Sequence, residues 1–225
     1  MSAMLAIDTT TEACSVALTT ASGVFTREAV VRRGHSQHVL DMVTAVLADA
    51  QTGLDRLTAI ACCRGPGSFT GVRIGVGVAH GLALGADLPL VAVSTLATVA
   101  QGAYRACAAP RVMVAMDARM GEVYWGCFAI RDGRAALQGQ ERVSAPENVV
   151  LAGDESDWMG AGTGFAAYGE ALAAATGCRL SRVDETCLPH ARDCLTLAQA
   201  EYARTGGSAP ETVVPVYLRD RVAAS

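Results

Sequence analysis

Two aspartates close apolar runs in matching surroundings. Asp8 stands in "MLAIDTTTEACSVAL" and Asp117 in "MVAMDARMGEVYWGCF". Met4, Ala6 and Asp8 match Met113, Ala115 and Asp117 in register, and each stretch runs apolar strand, aspartate, polar turn, second strand. The repeated layout points to an internal duplication. If the two halves face each other across a cleft, such carboxylates can hold a magnesium ion through water. Thr10 lies beside the first of them. The glycine turn of "GAGTGFAAYG" (160–169), with Gly162 and Gly164, could sit near an adenosine. The competing reading is that each aspartate only caps a turn.

A second candidate is "RGPGSFTGVRIGVGVAHGLALG" (64–85), which carries seven glycines after the apolar run "LTAIACC". It is not a Walker loop. Five residues separate Gly65 from Gly71, Val72 follows, and no lysine exists to reach a phosphate. Nor is it a dinucleotide fingerprint, because "GPGSFTG" and "GVGVAHG" each hold one residue too many. What survives is a strand, a turn with free N–H groups and a helix start, a geometry that could hold an anion.

His35 and His38 stand three residues apart near a helix start, with Asp41 close by. A catalytic zinc site wants a third ligand and a base, so we read these as polar residues of a helix start. His80, among glycines and alanines, reads as structural. His190, after Pro189 and before a helix, reads as a surface residue. No G-x-S-x-G elbow occurs.

All 18 basic residues are arginine, which excludes lysine Schiff-base, general-base and Walker chemistry. The net charge of −4 argues against a nucleic-acid binder. The local clusters Arg27, Arg32, Arg33 and Arg219, Arg221 read as solvated arginines. Eight cysteines form no C-x-x-C pair, and no signal peptide or spanning helix is expected from the apolar runs. The expectation is a cytoplasmic protein with reduced thiols.

The elements that must position these residues follow from periodicity. Strands are expected at 4–10, 14–20 and 24–31, as an antiparallel meander. A helix is expected at 35–51, where Val39, Val43, Val46 and Leu47 form one stripe. A strand over 57–63, a helix over 70–85, a strand over 88–94 and another helix from Thr95 complete a mixed sheet with helices on it. The second half should hold two strands within 111–130, a loop or short helix in "PENVVLAGDESDW", a helix after Gly164 and another ending at Gly206 and Gly207. Pro215 makes the tail at most an edge strand.

The helix over 70–85 carries two rows of small residues: Gly71, Gly75 and Ala79, then Gly77, Gly81 and Gly85. Gly75, Gly77 and Gly81 together cost about 3 kcal/mol against alanine, so close approach of another backbone should offset them. That approach is internal packing, a partner protein, or one on each face.

Several stretches carry a resemblance over nearly the whole chain: "LAIDTTTEACSVAL", "HSQHVL", "GPGSFTGVRIGVGVAHGLA", "DARMGEVY", "GTGFAAYG" and "VPVYLRD". Together they resemble the TsaB (YeaZ) family, bacterial subunits in making threonylcarbamoyladenosine on tRNA. The resemblance implies an actin/sugar-kinase/Hsp70-like α/β fold of two related lobes, each a mixed sheet flanked by helices, over 1–108 and 109–225. It leaves room for the C-terminal segment to pack back on the first lobe.

It further implies a non-catalytic subunit that binds a TsaD-like catalytic subunit, recruits a TsaE-like ATPase and meets tRNA mainly through the complex. The subunit should dimerise with itself when alone, carry no cofactor of its own and leave ATP, ADP and metal to its partners. The surface expected to bind the partner comprises His35, Val39, Met42, Val43, Val46, Gly71, Arg73, Ile74, Gly75, Gly77, Val78 and Gly81. Asp8, Thr10, Asp117, Gly162 and Gly164 would be a vestigial nucleotide cleft, because neither aspartate is followed shortly by the glycine of active phosphate loops. The alternative is an independent enzyme of this fold, a small-molecule kinase or a glycoprotease-type peptidase.

Overall fold

The computed structural model describes residues 3–31, 34–153, 157–177 and 179–219, so Arg32, Arg33 and Arg221 lie outside the described residues. The chain divides into two compact units, Met1–Thr98 with Pro189–Pro215, and Val99–Leu188 with Val216–Ser225. The division falls at Thr98, within a helix, and not after residue 108.

The first unit is built on strands β1 (Met4–Asp8), β2 (Ala13–Thr20), β3 (Gly23–Val30), β4 (Ala59–Cys63) and β5 (Leu90–Val93), in the order β3-β2-β1-β4-β5. β1 runs antiparallel to β2 and parallel to β4, and β4 runs parallel to β5. Residues 4–7 of β1 and all of β4 are unbroken apolar runs because both of their faces are covered. On one face, Leu5, Ile7, Val16, Leu18 and Ile60 meet helices α1 (His35–Asp49) and α2 (Phe69–Gly85). Met4, Ala6, Ala17, Ala59, Ala61 and Cys63 alternate to the other face.

Those side chains are mostly small, and they receive Ala191, Cys194, Leu195 and Ala198 of the last helix. This is why residues 189–215 belong with the first unit. After that helix, Ser208 exchanges two backbone hydrogen bonds with Leu90, and His80 Nε2 lies 2.8 Å from the Val213 carbonyl. His80 is thus structural, as its setting suggested. The described part of the tail, 213–219, contains no strand.

The second unit repeats the plan. Strands β6 (Arg111–Arg119), β7 (Glu122–Arg131), β8 (Arg134–Ser144), β9 (Trp158–Ala161) and β10 (Leu180–Asp184) stand in the order β8-β7-β6-β9-β10. Their directions match those of the first sheet strand for strand. β6 therefore takes the place of β1, which is what the paired motifs around Asp8 and Asp117 suggested. Helices α3 (Thr95–Cys107) and α4 (Gly164–Ala175) follow β5 and β9, and the last helix, α5 (Ala191–Thr205), follows β10. Where α1 stands in the first unit, the described residues of the second hold a short 3-10 turn at Pro146–Asn148. β8, β9 and β10 were not anticipated. β8 has no buried residue, β9 has four residues within a glycine-rich stretch, and β10 is a half-exposed edge strand.

Candidate functional site

The turn between β1 and β2 carries Asp8 and Thr10, two residues of the expected vestigial nucleotide cleft. Asp8 ends β1 with no exposed surface. Its Oδ1 accepts hydrogen bonds from the Thr10 N–H (3.1 Å) and the Thr10 hydroxyl (2.7 Å), while Oδ2 has no partner. Burial pushes the carboxyl pKa up to about 6 from 3.8, against the pull of the Thr10 hydrogen bonds. Within its own unit Asp8 is therefore a buried turn cap, and Thr10 is its partner. His35 closes the turn from the far side, with Nε2 2.9 Å from the Thr11 carbonyl.

The glycine segment seats itself on this turn. The Ser68 N–H donates to the Thr10 carbonyl (2.7 Å), and the Thr9 hydroxyl donates to the Gly71 carbonyl (2.7 Å). Ser68 caps α2, its hydroxyl accepting from the Gly71 N–H at 3.4 Å. A Cβ on Gly67 would run into the Thr10 carbonyl, and one on Gly71 into the Thr9 carbonyl. One on Gly75 would lie 2.6 Å from Thr9 Oγ1. Two N–H groups at the helix start, those of Ser68 and Gly71, are thus taken up by the chain's own turn and cap.

The two rows of α2 have opposite surroundings. Gly71 and Gly75 are buried against Thr9, whereas added Cβ atoms on Gly77, Gly81 and Gly85 would meet nothing within 4 Å. Around the open row stand Arg73, stacked 3.2 Å over the Phe69 ring, and the exposed Leu84. Leu40 of α1 is also half exposed. The expected partner surface therefore needs correcting. Val39, Val43 and Val46 lie in the first unit's core, at 0–4% exposure, and the stripe that marks α1 as a helix is consumed by its own sheet. Gly71 and Gly75 are consumed by the turn. Met42, Ile74 and Val78 are partly buried against the same core. Of the expected residues, Arg73, Gly77 and Gly81 are exposed. Phe69, Leu84 and Leu40 were missed, since spacing alone does not say which stripe of an apolar helix faces out.

The second unit closes its matching turn differently. Asp117 Oδ1 accepts from the Arg119 N–H (2.8 Å), and Oδ2 pairs with the Arg119 guanidinium at 2.9 Å. Arg119, Met120 and Gly121 are all left-handed, with φ of 63°, 58° and 75°. Arg219 holds this turn by pairing with Glu122 and donating to the Ala118 carbonyl at 3.1 Å. Gly162, at φ 111°, has room for no side chain, since a Cβ would lie 2.5 Å from the Ala115 carbonyl. The same atom is 2.9 Å from a Cβ on Gly164. Both glycines thus serve the seating of α4 on β6.

His190 is not a free surface residue: its ring nitrogen accepts the Arg192 N–H at the start of α5, and Nε2 lies 2.6 Å from Glu28. Among the described residues no group of three His, Cys, Asp or Glu side chains is placed to hold a metal ion. No helix among them is long and apolar enough to cross a membrane.

The family model described as TsaD, tRNA N6-adenosine threonylcarbamoyltransferase, matches residues 19–225. The Escherichia coli tRNA threonylcarbamoyladenosine biosynthesis protein TsaB is 47% identical, over 98% of this chain and 96% of that one. The chain belongs to the TsaB family. The Haemophilus influenzae protein of the same name is 38% identical over 97% of this chain and 94% of its own. YeaZ from Pseudomonas aeruginosa superposes with a TM-score of 0.91 at 46% identity, covering 97% of this chain and all of that one. A second Pseudomonas aeruginosa structure, of a protein described as similar to the peptidase YeaZ, gives 0.92 at 46% identity and the same coverage. The two mixed sheets flanked by helices are those of the actin/sugar-kinase/Hsp70-like fold expected from the resemblance.

Proposed function

We propose that this chain is a non-catalytic subunit in the making of threonylcarbamoyladenosine on tRNA in the cytoplasm. It acts by binding a TsaD-like catalytic subunit and by helping to recruit a TsaE-like ATPase. ATP, ADP and metal belong to those partners, and tRNA is met mainly through the complex. The observation that carries this reading is the contrast between the two ends of the glycine segment. Its first half is packed onto the turn that carries Asp8 and Thr10. Its second half leaves an open row at Gly77, Gly81 and Gly85 on a helix already packed on its own sheet.

Open glycines in a helix interior cost stability, and a backbone that approaches closely offsets the cost. A second helix laid along Gly77 and Gly81 would rest on Arg73, Phe69 and Leu84. In the absence of the catalytic subunit, the same face would pair two copies of this chain about a two-fold axis.

The test is Gly77→Leu, assayed for capture of the organism's own TsaD-like protein. A side chain there should hold the helices apart, at about 1–3 kcal/mol, or roughly five- to hundredfold in affinity. The melting temperature should not fall, because nothing of this chain lies near that Cβ. Unchanged capture by Gly77→Leu would remove the open row from the interface.

A further inference from the structure

Seven methionines stand in the chain, and one of them is placed unlike the rest. Met4, Met113, Met116 and Met159 are buried, at 0–4% exposure, and Met42 is partly buried against the first unit's core. Among the described residues Met120 is the one exposed methionine, at 67%. It stands at the tip of the β6–β7 hairpin, between the left-handed Arg119 and Gly121, and is left-handed itself. Such a backbone is costly for a residue other than glycine and persists where its surroundings hold it. Here Asp117 Oδ1 accepts the Arg119 N–H, and Arg219 donates to the Ala118 carbonyl.

Arg219 joins this tip to the C-terminal segment of the same unit. Its Nε donates to Glu122 at 3.0 Å, Nη2 to the Ala118 carbonyl at 3.1 Å, and Nη1 to the Met120 sulfur at 3.6 Å. The carboxylate and the carbonyl are strong acceptors, whereas a thioether sulfur is a weak one. One arm of the guanidinium is thus spent on the poorest acceptor of the turn. That acceptor is also the atom of the turn most open to oxidation, because a thioether takes up oxygen and becomes a polar sulfoxide.

We propose that Met120 is a site of sulfoxidation by hydroperoxides, and that its sulfoxide fastens Arg219 more firmly to the turn. The sulfur gives a lone pair to the outer peroxide oxygen. An S–O bond forms as the O–O bond breaks, the sulfur is oxidised, and the hydroperoxide is reduced to its alcohol, which keeps the proton. The new oxygen is bonded to the atom that already meets Nη1. A hydrogen bond from a guanidinium to it is charge-assisted and therefore of the strong kind. Methionine sulfoxide reductases undo the step.

The full chain is treated with tert-butyl hydroperoxide at neutral pH, and fragment masses locate each oxygen taken up. Met120 should gain an oxygen before any other described methionine. The half-buried thiols of Cys107 and Cys187 lie on other tryptic fragments and are read separately. In the oxidised chain the amides of 118–122 and 216–219 should exchange about tenfold more slowly, the effect of one charge-assisted hydrogen bond. Met120→Gln hangs a carboxamide oxygen from the same position of the side chain. It should give the same slowing without oxidant, with a melt to show that it folds. Arg219→Ala should still take up oxygen at Met120 and show no slowing on oxidation. Uptake at Met42 or at a buried methionine ahead of Met120 overturns the site. Unchanged or faster exchange in the oxidised chain overturns the fastening, as does a slowing that persists in Arg219→Ala.

Discussion

Alanine at Gly75 and alanine at Gly77 should move stability in opposite directions, although the two are near neighbours on one helix. Each substitution gains about 1 kcal/mol of helix propensity. At Gly77 nothing opposes the gain, since a Cβ there meets no atom within 4 Å. Gly77→Ala should therefore raise the melting temperature by about 2–4 °C. At Gly75 the new Cβ would lie 2.6 Å from Thr9 Oγ1, the atom that donates to the Gly71 carbonyl. Forcing it in costs about 1–3 kcal/mol of overpacking and about 1 kcal/mol for the hydrogen bond. Gly75→Ala should therefore lose roughly 1–3 kcal/mol net of the propensity gain.

A double-mutant cycle isolates the cause. Thr9→Ala removes the clashing oxygen and by itself costs about 1 kcal/mol. In that background Gly75→Ala should be neutral or stabilising, giving a coupling of about 1–3 kcal/mol between the positions. Reversible denaturant melts of the four proteins measure it. Additive losses, or a Gly75→Ala protein as stable as Gly77→Ala, would refute the assignment of the two rows to opposite surroundings.

Three further outcomes follow from the two turns. Asp8 has a folded pKa of about 6 against the usual 3.8, so the folded state binds its proton more tightly than the unfolded one. The contribution is favourable in acid and is lost as pH rises from about 4 to about 6, on the order of 3 kcal/mol in all. Melts of the natural chain and of Asp8→Asn across that range should converge or cross, and parallel curves would count against it. Arg219→Ala frees the Ala118 carbonyl and Glu122. It should cost about 1–3 kcal/mol, with faster amide exchange confined to 118–122, and uniform exchange would show the contact to be idle. Finally, the purified chain should not turn over ATP or cleave peptides, and a steady rate abolished by Asp8→Ala would favour an independent enzyme.

Much of the fold could be read from local pattern. Residues 4–7, closed by Asp8, and Ala59–Cys63 are continuous apolar runs, and the valine stripe of α1 has one period that fits. The glycines after α5 stop it in the left-handed conformation expected of them. What could not be read was anything that depends on a neighbour. "RAALQGQERVS" shows weak alternation because β8 packs one face only loosely, so its pairing with β7 is the stronger constraint. The valines of α1 and the glycines of α2 were assigned to a partner because spacing gives the stripe and not its direction. His190 looked like a surface residue because a cap is defined by the N–H groups it meets. The duplication was visible from three matched residues because Ala6 and Ala115 sit on β1 and β6, the middle strands, where both faces are covered.

The helix α5 fills the alanine-lined face of a sheet whose strands all lie within the first 93 residues. During synthesis, that face emerges long before the residues that cover it. At about 5–20 residues per second, the interval is of the order of 5–20 s. Throughout it Met4, Ala6, Ala17, Ala59 and Ala61 have no permanent cover. A nascent chain of this design is exposed to capture by chaperones or by its neighbours on the same message, for a time set by the ribosome and not by its own folding rate. A stop codon placed just before α5 would make that interval permanent.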